Sequence, residues 1–111
     1  MNGPQKNTLC PPPADPIPLP KSTTERDTAL ATLAKALGHP TRVAIIRRLR
    51  TVDTCVSEIV DALPLAQSTV SQHLKVLKDA GLIRGSIQGP KVSYCLESSL
   101  LEYLQLLIEE L

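Results

Sequence analysis

Leu65-Ala66-Gln67-Ser68-Thr69-Val70-Ser71-Gln72-His73-Leu74-Lys75-Val76-Leu77-Lys78-Asp79-Ala80-Gly81 is the stretch on which the fold turns. Val70, Leu74 and Leu77 recur at i, i+4 and i+7, which makes one apolar stripe on a helix. Helical pitch then sets Ser68, Gln72, Lys75 and Asp79 on the opposite side, with Ser71 on its flank. That face carries hydroxyls, an amide and an ammonium, groups that hydrogen-bond base edges in a major groove and touch phosphates. Gly81 provides the residue that ends such a helix in a left-handed conformation. Upstream, Val56–Leu63 forms a second short helical stretch, and Pro64 breaks the chain between the two. Two short helices across a tight turn, the second polar on its free side, predict a helix-turn-helix. Amphipathic surface helices are common, so this face alone leaves DNA binding open.

Outward from that motif the pattern continues on both sides. Ser22 or Thr23 can cap a first helix that runs to Leu37, with Leu30, Leu33, Ala34 and Leu37 as its buried stripe and Gly38 as its stop. Pro40 suits the first turn of a second helix, which carries Val43, Ile45, Ile46 and Leu49 toward the core. Arg42, Arg47, Arg48 and Arg50 surround that set, either a contact for phosphate or, the plainer reading, a solvated basic turn that the helix dipole favours near its C-terminus. His39 reads as a packing or hydrogen-bonding residue at the helix start. The third helix starts between Thr54 and Ser57. Beyond Gly81, Leu82–Ile87 and Lys91–Leu96 are rich in β-branched residues and flank Gln88-Gly89-Pro90, which predicts a hairpin. A hairpin directly after the polar helix makes a wing that lies against the sugar-phosphate backbone or the minor groove. Ser98 caps the last helix. Leu100, Leu104, Leu107 and Leu111 form its stripe, widened by Leu101 and Ile108, against a narrow polar side of Glu102, Gln105 and Glu109. That is more apolar surface than a small domain covers from a terminal helix, so a homodimer built on Leu100, Leu104, Leu107, Ile108 and Leu111 is expected.

Seven of the ten prolines fall in the first 20 residues, so residues 1–21 read as a disordered proline-rich tail and residues 22–111 as the single domain. A domain of this size builds only a modest core, and oligomerisation supplements it. The formal net charge of +1 makes no global case for nucleic acid. Its distribution does more. Between Gln67 and Lys91 four basic residues face Asp79 alone, whereas from Glu97 onward there are four acids and no base. No run of transmembrane length and no basic-then-apolar leader is present, so a cytoplasmic protein without membrane association is expected. No nucleophile–histidine–acid set and no phosphate-binding glycine loop appear, and an enzyme is not expected. A protein-interaction module that does not bind DNA is the rival class, separable by one gel shift.

With five helices and a hairpin in the order α-α-α-α-β-β-α, the chain resembles the ArsR/SmtB family of bacterial repressors over about residues 25–111. The resemblance rests on Ala36-Leu37-Gly38-His39-Pro40-Thr41-Arg42 with Ile45-Ile46, and on Leu65 through Ile83. It implies a mainly α winged helix-turn-helix with a small β-hairpin, homodimeric, bound to double-stranded operator DNA and released by metals, metalloids or thiol-reactive species. By position it implies base reading by Gln67, Ser68, Ser71 and Gln72. Thr69, His73 and Lys75 would serve the DNA backbone or the packing of the helix, and Arg84, Gln88 and Lys91 the wing. Ala66 departs from the family pattern, which has serine there as helix cap; the loss costs ~1 kcal/mol.

The family's zinc-type site needs Asp and His on the last helix, which here has neither. Its arsenic-type site carries two cysteines two apart on the third helix; this chain reads Cys55-Val56-Ser57, keeping the first and replacing the second. Trivalent arsenic takes three soft thiolates, and Cys10, Cys55 and Cys95 lie on three different elements. Cys55 stands at a helix start, where the positive end of the dipole favours the thiolate. No permanent cofactor is expected; As(III) or Sb(III) on Cys10, Cys55 and Cys95 is the expected inducer. A persulfide or redox switch between Cys55 and Cys95 is the alternative. A buried cysteine with only a packing role is the plainer reading of Cys95.

Overall fold

The computed structural model describes the backbone of residues 15–51 and 54–111, and the side chains of all of these except residues 54–57, Gln88 and Lys91. The order is α1 Thr23–Ala36, α2 Pro40–Thr51, β1 Thr54–Cys55, α3 Val56–Ala62, α4 Gln67–Asp79, β2 Ile83–Gln88, β3 Lys91–Leu96 and α5 Ser98–Glu109. It is mainly helical with an antiparallel hairpin, as the sequence predicts. The third strand is new. β1 pairs antiparallel with β3, Thr54 opposite Tyr94 and Cys55 opposite Ser93, so the sheet runs β1-β3-β2. Two residues are too few for any periodicity to reveal a strand.

Ser22 caps α1, its hydroxyl accepting from the Glu25 N–H at 3.4 Å. Ala34, expected in the stripe, is exposed, and Ala36 takes its place beside Leu33. Gly38 has no positive φ; a Cβ there would meet the Lys35 carbonyl at 3.2 Å, so the need at this stop is space. His39 caps α2: its Nδ1 accepts from the Thr41 N–H at 3.0 Å, with Pro40 in the first helical position. Val43 turns outward rather than into the core, which Ile45, Ile46 and Leu49 fill.

The helix-turn-helix forms as its sequence dictates. Val70, Leu74 and Leu77 are buried in the same core as Ile59 of α3 and Ile83 of β2. α4 closes in a Schellman arrangement, with the Gly81 N–H on the Lys78 carbonyl at 2.9 Å and the Leu82 N–H on the Leu77 carbonyl at 3.0 Å. Gly81 takes φ +85° and would crowd Leu100 if it carried a Cβ. The hairpin turn is tighter than Gln88-Gly89-Pro90: Gln88 pairs with Lys91, leaving Gly89 and Pro90 as a two-residue loop. Gly89 at φ +57° followed by proline fits the type II′ turn that right-twisted strands favour.

Two further expectations need correction. α5 is capped by Glu97 rather than Ser98, which is its first helical residue. The tail does not stay free up to residue 21: Leu19 packs on the core and the Pro20 carbonyl accepts from Arg26 Nε at 2.6 Å. Arg26 Nη1 also pairs with Glu110 at 3.5 Å, tying the start of the domain to the end of α5. Residues 1–14, and with them Cys10, lie outside the described residues. No described helix is long and apolar enough to cross a membrane.

Candidate nucleic-acid interface

α4 presents Gln67, Ser68, Ser71, Gln72 and Lys75 as one exposed face. The three buried side chains on its other side leave this face no freedom to rotate inward. Lys75 Nζ donates to Asp79 Oδ2 at 2.9 Å, one turn on. That hydrogen bond, and then the carboxylate's charge, raise the Lys75 ammonium above the ordinary lysine range. Lys75 thus stays charged, but Asp79 offsets its pull on a phosphate. Thr69 and His73 are half-buried on the flank.

His73 faces inward across the motif. Its Nδ1 lies 3.1 Å from Arg42 Nη1, and its ring centroid lies 4.4 Å from that of His39, the planes tilted by 42°. Burial first, then the charges of His39 and Arg42, hold His73 below the ordinary imidazole range. The nearest sequence signal was the pair of histidines in the two family-like stretches; the Arg42–His73 contact itself joins residues 31 apart.

The wing divides. Arg84 stands at its base, opposite Cys95 in the β2–β3 register. Its Nε lies 3.1 Å from Glu97 Oε1, an ion pair whose angle departs from a straight hydrogen bond. Ser99 Oγ donates to the other Glu97 oxygen. Arg84 is therefore held by the cap of α5. Gln88 and Lys91 close the hairpin, their side chains outside the described set. Sequence reading passed over Ile87, which is 77% exposed beside the turn; strict alternation along β2 sets it on the same face as buried Ile83, so its exposure comes from its place at the wing end of the hairpin and not from the alternation.

Cys95 is 2% exposed and disulfide-bonded. The chain's other cysteines are Cys10 and Cys55, whose side chains lie outside the described set. The Cys55 backbone runs beside Ser93, two residues from Cys95 on the same face of β3. Among the described residues no group of three or more His, Cys, Asp or Glu side chains is placed to hold a metal.

α5 splits the expected dimer residues between two environments. Leu104 and Leu107 belong to the protomer's own core, where α5 packs against α1. Leu100 is half-buried, whereas Ile108 and Leu111 are 53% and 84% exposed. Leu106, not singled out from the sequence, is exposed with them.

The pattern of the bacterial regulatory protein arsR family matches residues 39–84. The chain is 42% identical over 94 residues to the HTH-type transcriptional repressor SmtB of Mycobacterium tuberculosis, covering 85% of this chain and 67% of that protein. Reduced HlyU from Vibrio cholerae superposes with a TM-score of 0.64 at 31% identity, over 76% of this chain and 90% of that one. A possible transcriptional regulator for arsenical resistance superposes with a TM-score of 0.65 at 29% identity, over 68% of this chain and 79% of that one.

Proposed function

The chain belongs to the bacterial ArsR family, as a transcriptional repressor and not an enzyme, and from that premise we propose that its operator affinity is set by the state of the Cys95 thiol. The observation that carries this reading is the disulfide at Cys95, a buried sulfur opposite the wing-base Arg84 and two residues from the Glu97 cap of α5. Cys55 is the proposed partner, since its strand adjoins β3. Reduced protein binds the operator. Oxidation removes two protons and two electrons from the two thiols, a peroxide or persulfide taking them up, and the resulting bond shifts the wing against α5 and lowers affinity. Similarity to reduced HlyU supports a redox-responsive reading.

Trivalent arsenic or antimony is the second reading, favoured by likeness to the arsenical-resistance regulator. Cys55 and Cys95 would supply two soft thiolates and Cys10 a third. In both readings the protein works in the cytoplasm as a homodimer. The exposed Leu106, Ile108 and Leu111 on α5 support that assembly.

Base reading falls to Gln67, Ser68, Ser71 and Gln72, with Thr69 and Lys75 toward phosphates and Gln88 and Lys91 on the wing. Replacing Gln72 with Ala should lower operator affinity by ~1–3 kcal/mol while leaving binding to a scrambled duplex in place. Lys91→Ala should weaken both duplexes alike and flatten the salt dependence by about one phosphate. Equal losses on operator and scrambled duplex for Gln72→Ala would remove α4 as the reading helix.

A further inference from the structure

His73 has two possible occupations on a DNA-binding helix: its ring can reach out to a phosphate, or it can reach in to the scaffold. The geometry favours the second. Arg42 is fixed from behind, its Nε donating to the Ala36 carbonyl at 2.6 Å and Nη2 to the Lys35 carbonyl at 3.5 Å, both at the C-terminal end of α1. Those carbonyls carry the negative end of the helix dipole, so the guanidinium is anchored there. Its remaining Nη1 points at His73 Nδ1. A guanidinium has only donors, so His73 Nδ1 must accept and the ring proton must sit on Nε2. The contact spans α1, α2 and α4 and, beside the His39–His73 ring contact, ties the recognition helix to the α1–α2 junction.

We infer that Arg42–His73 is a proton-sensitive latch that holds α4 in its operator-reading orientation and lets go on acidification, independently of the thiols. A proton added to His73 can enter only at Nδ1, where it faces an Arg42 N–H across 3.1 Å. Two donors and two positive charges then oppose each other, and Arg42 cannot retreat from the α1 carbonyls. His39, tilted against the same ring, offers no acceptor there, because its Nδ1 already takes the Thr41 N–H. Other titratable groups around α4 do not compensate. Lys75 and Asp79 pair with each other, and Arg84 of β2 pairs with Glu97. Lys78 of α4 and Glu58 and Asp61 of α3 are not among the groups acting on His73; His39 and Arg42 are.

The sign follows from the lowered position of His73 when latched. The closed contact is at full strength above the ordinary imidazole value of about 6.5 and weakens as pH falls through that value toward the lower latched one. One proton limits the effect to tenfold in affinity per pH unit for each protomer. A phosphate contact has the opposite sign, since DNA would favour the protonated ring.

This latch rests on operator reading by α4, and its test separates the two. Operator affinity of the reduced full chain is measured from pH 7.5 to 5.5 at constant salt, for wild type and His73→Gln, which keeps an acceptor but cannot titrate. Wild type should lose about three- to tenfold over that range, and the ratio should flatten in His73→Gln whatever its affinity at pH 7.5. Wild-type affinity that rises with acid, and flattens in the variant, would make His73 a phosphate contact and overturn the latch. The same slope in both proteins would also overturn it. A ring titration by NMR on the wild-type chain without DNA decides the matter even if no operator is bound. It should find His73 as the Nε2–H tautomer, titrating below the ordinary range and shifted upward by Arg42→Gln. An Nδ1–H tautomer, or a midpoint unmoved by Arg42→Gln, would refute it.

Discussion

Replacing Leu107 with Ala is expected to destabilise the protomer by about 2–5 kcal/mol, a large part of the 5–15 kcal/mol typical of small domains. Leu107 is 2% exposed, within the core that α5 shares with the helix-turn-helix, so truncation opens a cavity that its neighbours cannot fill. Leu104, 5% exposed, should behave alike. The paired change Ile108→Glu and Leu111→Glu should do something different. Both side chains project from the surface; charge there costs the protomer little but blocks an apolar seam with a second copy. Chemical denaturation and sedimentation separate the outcomes: Leu107→Ala loses midpoint, and the Ile108/Leu111 pair keeps its fold but sediments as monomer. A dimer that survives the pair would move the seam off this end of α5.

Glu97→Ala should cost about 2–3 kcal/mol, somewhat below the 3–5 kcal/mol of a fully buried pair, because the Arg84 side chain keeps 28% exposure against 13% for Glu97. Three supports go together. Arg84 loses its counter-ion, Ser99 loses its acceptor, and the cap of α5 loses the side chain that joins it to the wing. The Glu97 N–H, bonded to the Leu82 carbonyl at 2.8 Å, remains, so the chain path is kept. The wing should therefore loosen while α4 stays packed. Thermal denaturation should register the loss, and operator binding should weaken with its sequence preference intact. Glu97→Gln should recover part of it, since an amide oxygen still accepts from Ser99. A wild-type melting profile for Glu97→Ala would remove the wing–α5 brace.

The elements most legible in the sequence were those whose pattern repeats within one helix. Val70, Leu74 and Leu77 state α4 and its exposed face within two helical turns, and the resemblance over Ala36–Arg42 with Ile45-Ile46 and over Leu65–Ile83 carried the family. Legibility failed where a long-range partner decides. The width of the Leu/Ile surface on α5 was visible, but not that α1 and the core take Leu104 and Leu107 and leave Ile108 and Leu111. Arg84 read as a wing cation because nothing local ties it to Glu97, thirteen residues on. β1 is set by pairing with β3 and has no periodicity of its own. Val43 faces outward for a related reason: beside Ile45 and Ile46 it looks like core, but helical pitch turns only part of that run inward.

The central claim is that the thiol state at Cys95 sets operator affinity. Its most direct measurement is fluorescence anisotropy of a duplex from the gene's own promoter and of a scrambled duplex, titrated with the full chain in fully reduced, disulfide and arsenite-treated forms. Reduced protein should prefer the promoter duplex, and the disulfide form should bind it at least about tenfold more weakly, a coupling of about 1.4 kcal/mol. Cys95→Ser should abolish that difference. Arsenite release that is lost in Cys55→Ser and Cys95→Ser would assign the metalloid as inducer. Equal promoter affinity in all three forms of the wild-type protein would contradict thiol control outright.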